Sequence, residues 1–219
     1  MPKPDQFGDI DAECTSLLPL PAEERHGLLF VHPDPDGTID LDELLGAWFD
    51  GEFPTWHFDR LVPINHDAYD TACNWKLAMD AFGETYHFAS LRKDTLFNSF
   101  HGNVQCYADD GHNHRMILCR RDIGEMRDRP EDEWDITVAG LPVYWLFPNT
   151  IIMPFARGFS EIVRDEDDVM AGSQQRAAHA GALDRIVVGR NGPALHHYHQ
   201  TYARKLGRPV STIVDAVTP

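Results

Sequence analysis

The chain has 219 residues, of which 42% are hydrophobic and 25% charged, a composition that allows one substantial folded domain. Acidic side chains outnumber basic ones by 35 to 19 and no Lys/Arg cluster stands out, so we expect neither nucleic acid nor a membrane surface as a partner. The four cysteines are widely spaced, and no signal peptide or apolar membrane-spanning run is recognised. These absences predict reduced thiols and a cytoplasmic location.

The first half of the chain predicts short strands and helices in turn. Leu28 to Val31 form an apolar run that ends at a Pro/Asp/Gly turn, which predicts a strand. The stretch "TIDLDELLGAWF" predicts a helix with Asp42 as its N-cap, and "WHFDRLVPI" predicts another strand. From Asp70 to about Leu91 apolar residues recur at helical spacing, so one long helix is predicted there.

The second half predicts four strands followed by two helices. "NVQCYA" and "HRMILCR" flank the turn "DDGHN", and "LPVYWLFPNTIIMPFA" predicts two strands joined at Pro148 and Asn149. Helical patterns begin at about Glu166 and are interrupted at "GRNGP". Strands in the middle with helices around them predict an α+β domain.

A polar stripe runs along the predicted long helix. Asp80, Glu84 and His87 stand at i, i+4 and i+7, and a helix would place these side chains within roughly 60° of one another. A solvated helix face, with Lys76 paired to Asp80, would explain the stripe. A metal-binding site would explain it as well, and the helix alone leaves both interpretations open.

The wider stretch "NWKLAMDAFGETYHFASLRKDTL" resembles the catalytic domain of the α subunits of Rieske-type aromatic-ring-hydroxylating oxygenases. That family carries Asn-Trp-Lys, an acidic residue and then Glu/Asp-x-x-His-x-x-x-x-His, and the similarity here runs from Asn74 to His87. "CTSLLPLPAEERHGLLFVHPDP", "YWLFPNTIIM" and "GRNGPALHHYH" are similar to the family too. The resemblance covers Cys14 to Leu206 in patches. It implies a helix-grip fold, in which an antiparallel sheet surrounds a long helix.

The resemblance also implies a site and a reaction, the Fe(II)- and O2-dependent hydroxylation of an aromatic or apolar substrate. Two histidines and one carboxylate hold the family's mononuclear iron. His87 is similar in position to the first histidine, and Asp167 to the carboxylate, with Asp165 and Asp168 as rivals. Glu84 resembles the catalytic acidic residue that links this histidine to the reductive cluster of a neighbouring subunit. An acidic helix start would explain Asp167 without a metal.

Arg92 departs from the family pattern because it stands where the second histidine is expected. A guanidinium has no lone pair to give and cannot ligate Fe(II). One hypothesis is that Arg92 pairs with Asp167 or Glu84 and replaces iron electrostatically. The other is that Arg92 faces water and that His87 is simply hydrogen-bonded. The nearby histidines that could substitute for the missing ligand are His101, His112 and His114.

The sequence lacks the ligand motifs of a [2Fe-2S] Rieske cluster, Cys-x-His and Cys-x-x-His, which the family carries. We therefore expect residues 1–38 to be a remnant of the C-terminal end of a Rieske domain, and residues 39–219 to be the mononuclear-iron catalytic-type domain. The family normally has further sheet between the segments similar to "GFSEIVR" and "DEDD", which abut here at 164–165, so the resemblance implies an internal deletion.

The family resemblance further implies a ferredoxin or reductase as electron donor and a trimeric homo-oligomer. With an iron ligand replaced and the cluster motifs missing, we expect this chain to be impaired as an isolated oxygenase. The alternative function is a non-catalytic helix-grip binding domain or a degenerate remnant.

Overall fold

The computed structural model describes residues 16–64, 66–134, 140–154, 163–182, 188–189 and 192–210. Its strands are β1 (Ala22–Arg25), β2 (Leu28–Val31), β3 (Phe100–Asp110), β4 (Asn113–Arg120), β5 (Gly140–Leu146) and β6 (Thr150–Ile152). Its α-helices are α1 (Leu41–Glu52), α2 (Trp75–Asp80), α3 (Asp168–His179) and α4 (Pro193–Lys205). None of these helices combines the length and the apolar character that crossing a membrane requires.

A four-stranded antiparallel sheet in the order β3-β4-β5-β6 forms the centre of the molecule. All seven residues of β5 are buried, although antiparallel sheets commonly leave one face in water. Both faces of this sheet must therefore be covered by other elements. A separate two-stranded sheet pairs β1 with β2.

Helix α1 covers one face of the central sheet. Leu45, Phe49 and Phe53, all fully buried, pack with Tyr144 and Leu146 of β5. The Phe49 and Tyr144 rings meet edge-on with centroids 5.5 Å apart, a favourable aromatic geometry. This layer stabilises the sheet and lies on the face opposite to the candidate site.

The opposite face carries the layer that positions the candidate site. Met116 of β4 and Val143 of β5 pack with Met79 of α2, Phe88 and Tyr198 of α4 in one apolar cluster. Helix α4 also contacts β3 and β4. Sheet in the middle and helices on its two faces confirm the predicted α+β class.

Helix α1 starts and breaks at two identifiable residues. The predicted N-cap Asp42 is wrong, because the carboxylate of Asp40 accepts the capping hydrogen bond and Asp42 lies in the first turn. Gly46 interrupts the helix with φ +73°, a conformation that favours glycine. A Cβ there would also lie 2.4 Å from the Asp110 carboxylate, so this position requires glycine.

The strand predicted for "WHFDRLVPI" is wrong. Phe53–Trp56 and Phe58–Arg60 form 3₁₀ turns, and residues 61–64 join no strand. Pro54 lies in the first of these turns, where it preorganises the backbone dihedral, and His57 has φ +51° between the two turns. The alternating aromatic residues thus come from two consecutive turns against α1 rather than from one extended segment.

The single long helix predicted from Asp70 to about Leu91 is also wrong. Only Trp75–Asp80 is α-helical, with Asn74 as N-cap, and a 3₁₀ turn follows at Tyr86–Ala89. Gly83 lies between them, and a Cβ on it would stand 2.4 Å from the Leu195 side chain. Close approach of α4 therefore occupies the space that a side chain at position 83 would need.

The remaining elements agree well with the predicted order. β2, the β3–β4 hairpin, the β5–β6 pair and both late helices are confirmed, whereas β1 was not predicted. Helix α3 ends at His179, earlier than its pattern predicts, and residues 183–187 lie outside the described residues. The domain boundary at 38/39 and the deletion near 164–165 stay predictions, since residues 1–15 and 155–162 are not described.

Candidate functional site

A cavity of about 320 Å³ lies between α2, the turn that follows it, α3 and α4. Its ionisable wall residues are Asp80, Glu84, His87, Asp167 and His199. Its apolar wall residues include Leu77, Leu91, Met170, Ala171, Val188 and Leu195. The structure therefore brings the three predicted site residues, Glu84, His87 and Asp167, to the wall of one cavity.

Glu84 holds the turn that presents His87. Because α2 ends at Asp80, the predicted helical stripe does not exist, and Glu84 instead folds back on its own backbone. Its Oε2 accepts hydrogen bonds from the N–H groups of Tyr86 at 2.5 Å and His87 at 3.2 Å. Thr85 fastens the same turn to β3, since its hydroxyl accepts from the Asn103 N–H at 2.9 Å. The His87 backbone is thus fixed from two sides.

The same carboxylate sets the tautomer of His87. Glu84 Oε1 lies 2.5 Å from His87 Nδ1, and an ionised carboxylate can only accept, so Nδ1 donates. The lone pair then belongs to Nε2, which is buried and has no hydrogen-bond partner in the described part of the chain. The nearest carboxylate oxygen, Asp167 Oδ1, lies 3.6 Å from Nε2. His87 lines the cavity, and its Nε2 is a buried acceptor without a hydrogen-bond partner among the described residues.

Arg92 forms a buried ion pair with Asp167. The guanidinium is 1% exposed, its Nε donates to Asp167 Oδ1 at 3.0 Å, and its Nη2 contacts Oδ2. The pair thus combines one charge-assisted hydrogen bond, which is stronger than a neutral one, with a second contact between the charged groups. Burial lowers the pKa of Arg92 to about 10, opposed by the charges of Glu166 and Asp168, so the group stays cationic near neutral pH. The hypothesis that Arg92 faces water is wrong.

The residues present do not fit the iron that the resemblance implies. His87 Nε2 and an Asp167 oxygen are suitable donors, but Arg92 has no lone pair and already engages both Asp167 oxygens. Among the described residues, no group of three His, Cys, Asp or Glu side chains could hold a metal ion. The metal roles of His87 and Asp167 therefore stay predictions, and this arrangement does not support them.

The substitute histidines proposed from the sequence do not line the cavity. His114 is buried on β4, where its Nδ1 lies 3.2 Å from His197 Nδ1 and burial lowers its pKa to about 3. His112 faces the carboxylate of Glu43, and His101 lies in β3. The sequence interpretation missed the histidine that does reach the cavity, His199 of α4, which stands in the run "HHYHQ".

His199 joins α4 to α2 across the cavity wall. Its Nε2 lies 2.9 Å from Asp80 Oδ1, and this hydrogen bond raises the pKa of His199, while burial and the charge of Lys76 lower it. Asp80 therefore pairs with a histidine 119 residues away, and the pairing with Lys76 suggested by the sequence is wrong. Lys76 instead lies 4.5 Å from the centre of the Tyr202 ring.

We expect the His199→Gln variant to lose stability at low pH and not at high pH. A histidine whose pKa is raised by folding stabilises fully below its unfolded pKa of about 6.5 and stops doing so as the pH rises through the folded pKa. The Tm difference between parent and variant should therefore be larger at about pH 5.5 than at about pH 8.5. His66→Gln, at an exposed position, is the matched control. Equal differences at both pH values would contradict the assignment.

Comparison with known proteins extends these observations. Residues 58–158 match the family model described as the ring hydroxylating alpha subunit (catalytic domain). The carnitine monooxygenase oxygenase subunits of Escherichia coli strain K12 and Acinetobacter baumannii are 28% and 29% identical to this chain over 109 and 107 residues. Each match covers 45% of this chain but only 29% of the relative, so the chain aligns with less than a third of their length.

Two solved structures share the fold. A quaternary ammonium Rieske monooxygenase, studied for carnitine oxidation and inter-subunit electron transfer, superposes with TM-score 0.65 at 16% identity, over 93% of this chain and 65% of that one. A second structure of such an enzyme, bound to an inhibitor, gives TM-score 0.64 at 15% identity over 92% and 66%. The helix-grip fold expected from the sequence is thereby confirmed, and the match of residues 58–158 to the family model supports the family resemblance over that segment.

Proposed function

We propose that this chain is an oxygenase-type domain whose cavity binds a small organic molecule. The proposal starts from the assignment of residues 58–158 to the ring hydroxylating alpha subunit catalytic-domain family. The family is that of the Rieske non-haem iron oxygenases, to which its relatives and structural neighbours belong. The cavity of about 320 Å³ beside His87 carries the proposal. Small-molecule sites are concave, mostly apolar spaces of about 300–1,000 Å³ with a few fixed polar groups.

The apolar and the polar wall residues would contribute differently to binding. Leu77, Leu91 and Leu195 supply apolar surface that excludes water from a bound molecule. Glu84 orients the His87 ring, which lines the cavity and contributes a fixed polar side chain to its wall.

Hydroxylation is the reaction that the family performs with iron and O2, but the donor set here does not fit the iron. We therefore assign binding and orientation to the described residues and no oxidation step. The [2Fe-2S] cluster, O2, a ferredoxin or reductase donor and a trimeric assembly are implied by the family for its longer members. For this chain, which spans part of those proteins, they stay predictions.

The class of ligand is proposed from the cavity wall and from the relatives. Asp80, Glu84 and Asp167 line the cavity, and no lysine or arginine does among the described residues, which favours a neutral or cationic molecule over an anion. The curated relatives are carnitine monooxygenases, so a quaternary ammonium compound deserves equal testing beside the aromatic or apolar substrate expected from the sequence.

Calorimetric titration with carnitine and with indole, one probe for each class, tests the proposal. Met170 lines the cavity and is 45% exposed, whereas its neighbour Val169 is 64% exposed and does not line it. We expect Met170→Trp to weaken binding of the accepted probe by about tenfold or more, roughly 1.4 kcal/mol, and Val169→Trp to leave it unchanged. Absence of binding by both probes, or equal affinities in the two variants, would contradict a ligand site in this cavity.

A binding domain without chemistry is the second function to test. The ion pair between Arg92 and Asp167 favours it, because it engages the carboxylate that the iron would need. Incubation of the accepted probe with the chain, Fe(II), O2 and a chemical reductant distinguishes the two functions. A hydroxylated product supports the oxygenase, and binding without product supports the binding domain.

A further inference from the structure

We propose that the guanidinium of Arg92 replaces the metal cation of this centre, so that the domain assembles without iron. The inference rests on the family assignment of residues 58–158 and on the ion pair itself, and it does not depend on any ligand of the cavity. In this chain the positions of the family's iron ligands would thus form a centre whose positive charge is the Arg92 side chain.

Arg92 supplies the positive charge that the buried Asp167 carboxylate needs. Asp167 is 4% exposed, and a buried carboxylate requires a compensating cation or hydrogen-bond donors. Arg92 supplies both, because its Nε and Nη2 each meet one Asp167 oxygen. An iron ion would compete for those oxygens and would stand close to a second positive charge. The two cations are therefore alternatives at this position.

Arg92 and His87 line different spaces beside the Asp167 carboxylate. Asp167 lines the large cavity, whereas Arg92 lines a second, small space together with Phe88, Met116 and Val143 of the apolar core. Arg92 is absent from the wall of the large cavity, which His87 does line. Arg92 is held there by its surroundings, with its guanidinium carbon 5.7 Å from the centre of the Phe88 ring.

The ion pair also holds two distant segments of the chain together. Arg92 and Asp167 are 75 residues apart in the chain and join the turn after α2 to the start of α3. Thr95 adds a second connection, since its hydroxyl donates to Glu166 Oε2 at 3.1 Å. A metal ion bound by His87 and Asp167 would join the same two segments. The guanidinium thus takes over the structural task of the ion as well as its charge.

The remaining donors keep a spacing that one ion could bridge. His87 Nε2 and Asp167 Oδ1 are 3.6 Å apart. Two donors about 2.1 Å from one ion can be at most about 4.2 Å apart. Replacing Arg92 by histidine would remove the cation and add a third donor, so the Arg92→His variant should gain a metal site that the parent chain lacks.

Metal retention and thermal stability test this inference, with Co(II) as the probe because its visible absorption reports coordination directly. The parent chain, Arg92→His and the control Lys93→His, which adds a histidine at the exposed neighbouring position, are loaded with Co(II) and desalted. We expect about one Co(II) per chain in Arg92→His and less than about 0.1 in the other two. Co(II) should raise the Tm of Arg92→His, and EDTA should leave the Tm of the parent unchanged.

Near-stoichiometric Co(II) in the parent, a parent Tm lowered by EDTA, or a folded Arg92→His variant that retains no more metal than the control would each overturn the inference. Should Arg92→His fail to fold, Arg92→Gln and Arg92→Lys decide instead. The uncharged glutamine should lower the Tm, and lysine should restore part of the loss. A glutamine variant as stable as the parent would overturn the inference. None of these measurements involves carnitine or indole, so failure of the cavity proposal remains distinguishable.

Discussion

The Asp167→Ala variant should unfold with a free energy about 3–5 kcal/mol below that of the parent chain, the effect of removing one partner of a buried ion pair. The substitution leaves the guanidinium of Arg92, which is 1% exposed, without the carboxylate that its Nε and Nη2 face. Both the lost attraction and the uncompensated burial of a cation act in the same direction. Urea denaturation followed by circular dichroism measures the difference.

Two further variants identify the cause of that loss. Asp94→Ala removes an exposed carboxylate two residues from Arg92 and should change stability by less than about 0.5 kcal/mol. The double variant Arg92→Met, Asp167→Leu removes both charges and should recover most of the loss, because paired apolar replacements of buried ion pairs are often neutral. A double variant no more stable than Asp167→Ala would show that the charges are not the cause.

The Asn113→Leu variant should lose about 3 kcal/mol, since each buried backbone group left unsatisfied costs about 1–3 kcal/mol. Asn113 is 1% exposed, and its Nδ2 donates to the carbonyls of Leu44 and Leu45 at 2.6 and 3.1 Å. Its Oδ1 accepts from the N–H of Phe147 at 2.9 Å. One side chain therefore satisfies the α1 carbonyls next to the Gly46 break and also fixes the end of β5.

Asn98→Leu is the control for that prediction, because Asn98 is exposed in a 3₁₀ turn. It should change stability by less than about 0.5 kcal/mol under the same denaturant titration. A loss of similar size in both variants would mean that the bonds of Asn113 contribute little beyond a general cost of placing leucine at an asparagine position.

Most residues of the candidate site could be named from the sequence because they belong to one family motif. Glu84, His87 and Arg92 lie within eight residues of each other and inside the segment that matches the family model. Asp167 lies outside that segment, and its assignment depended on a short acidic run with two rivals. In the structure Asp167 is buried against Arg92, whereas Asp165 is exposed and Asp168 is half-buried.

The local geometry of the site could not be predicted, because tertiary contacts override the helical period. The spacing of Asp80, Glu84 and His87 fits a helix, but Gly83 lies against Leu195 of α4, and Glu84 folds back to cap the following turn. The pattern within residues 70–91 contains no information about a neighbour more than 100 positions later. The wrong helix nevertheless led to residues that line one cavity, since the motif and not the helix carried the assignment, and their roles stay predictions.

The hydrogen bond between Asp80 and His199 could not be predicted from the sequence either, because it also depends on a tertiary contact. Twelve histidines and 35 acidic residues allow many pairings, and only the packing of α4 against α2 selects this one. The strands, in contrast, were predicted well where turn residues bound an apolar run. The β3–β4 hairpin around Gly111 and the β5–β6 connection at Pro148 are the clearest cases.

The separation of Arg92 and Asp167 along the chain also has a consequence for the speed of unfolding. A contact between residues 75 positions apart forms only after the loop between them has closed, and that loop contains the whole central sheet. Interactions absent from the folding transition state slow unfolding and scarcely change the folding rate. The ion pair should therefore lengthen the lifetime of the folded chain, and most of the loss in Asp167→Ala should appear as faster unfolding.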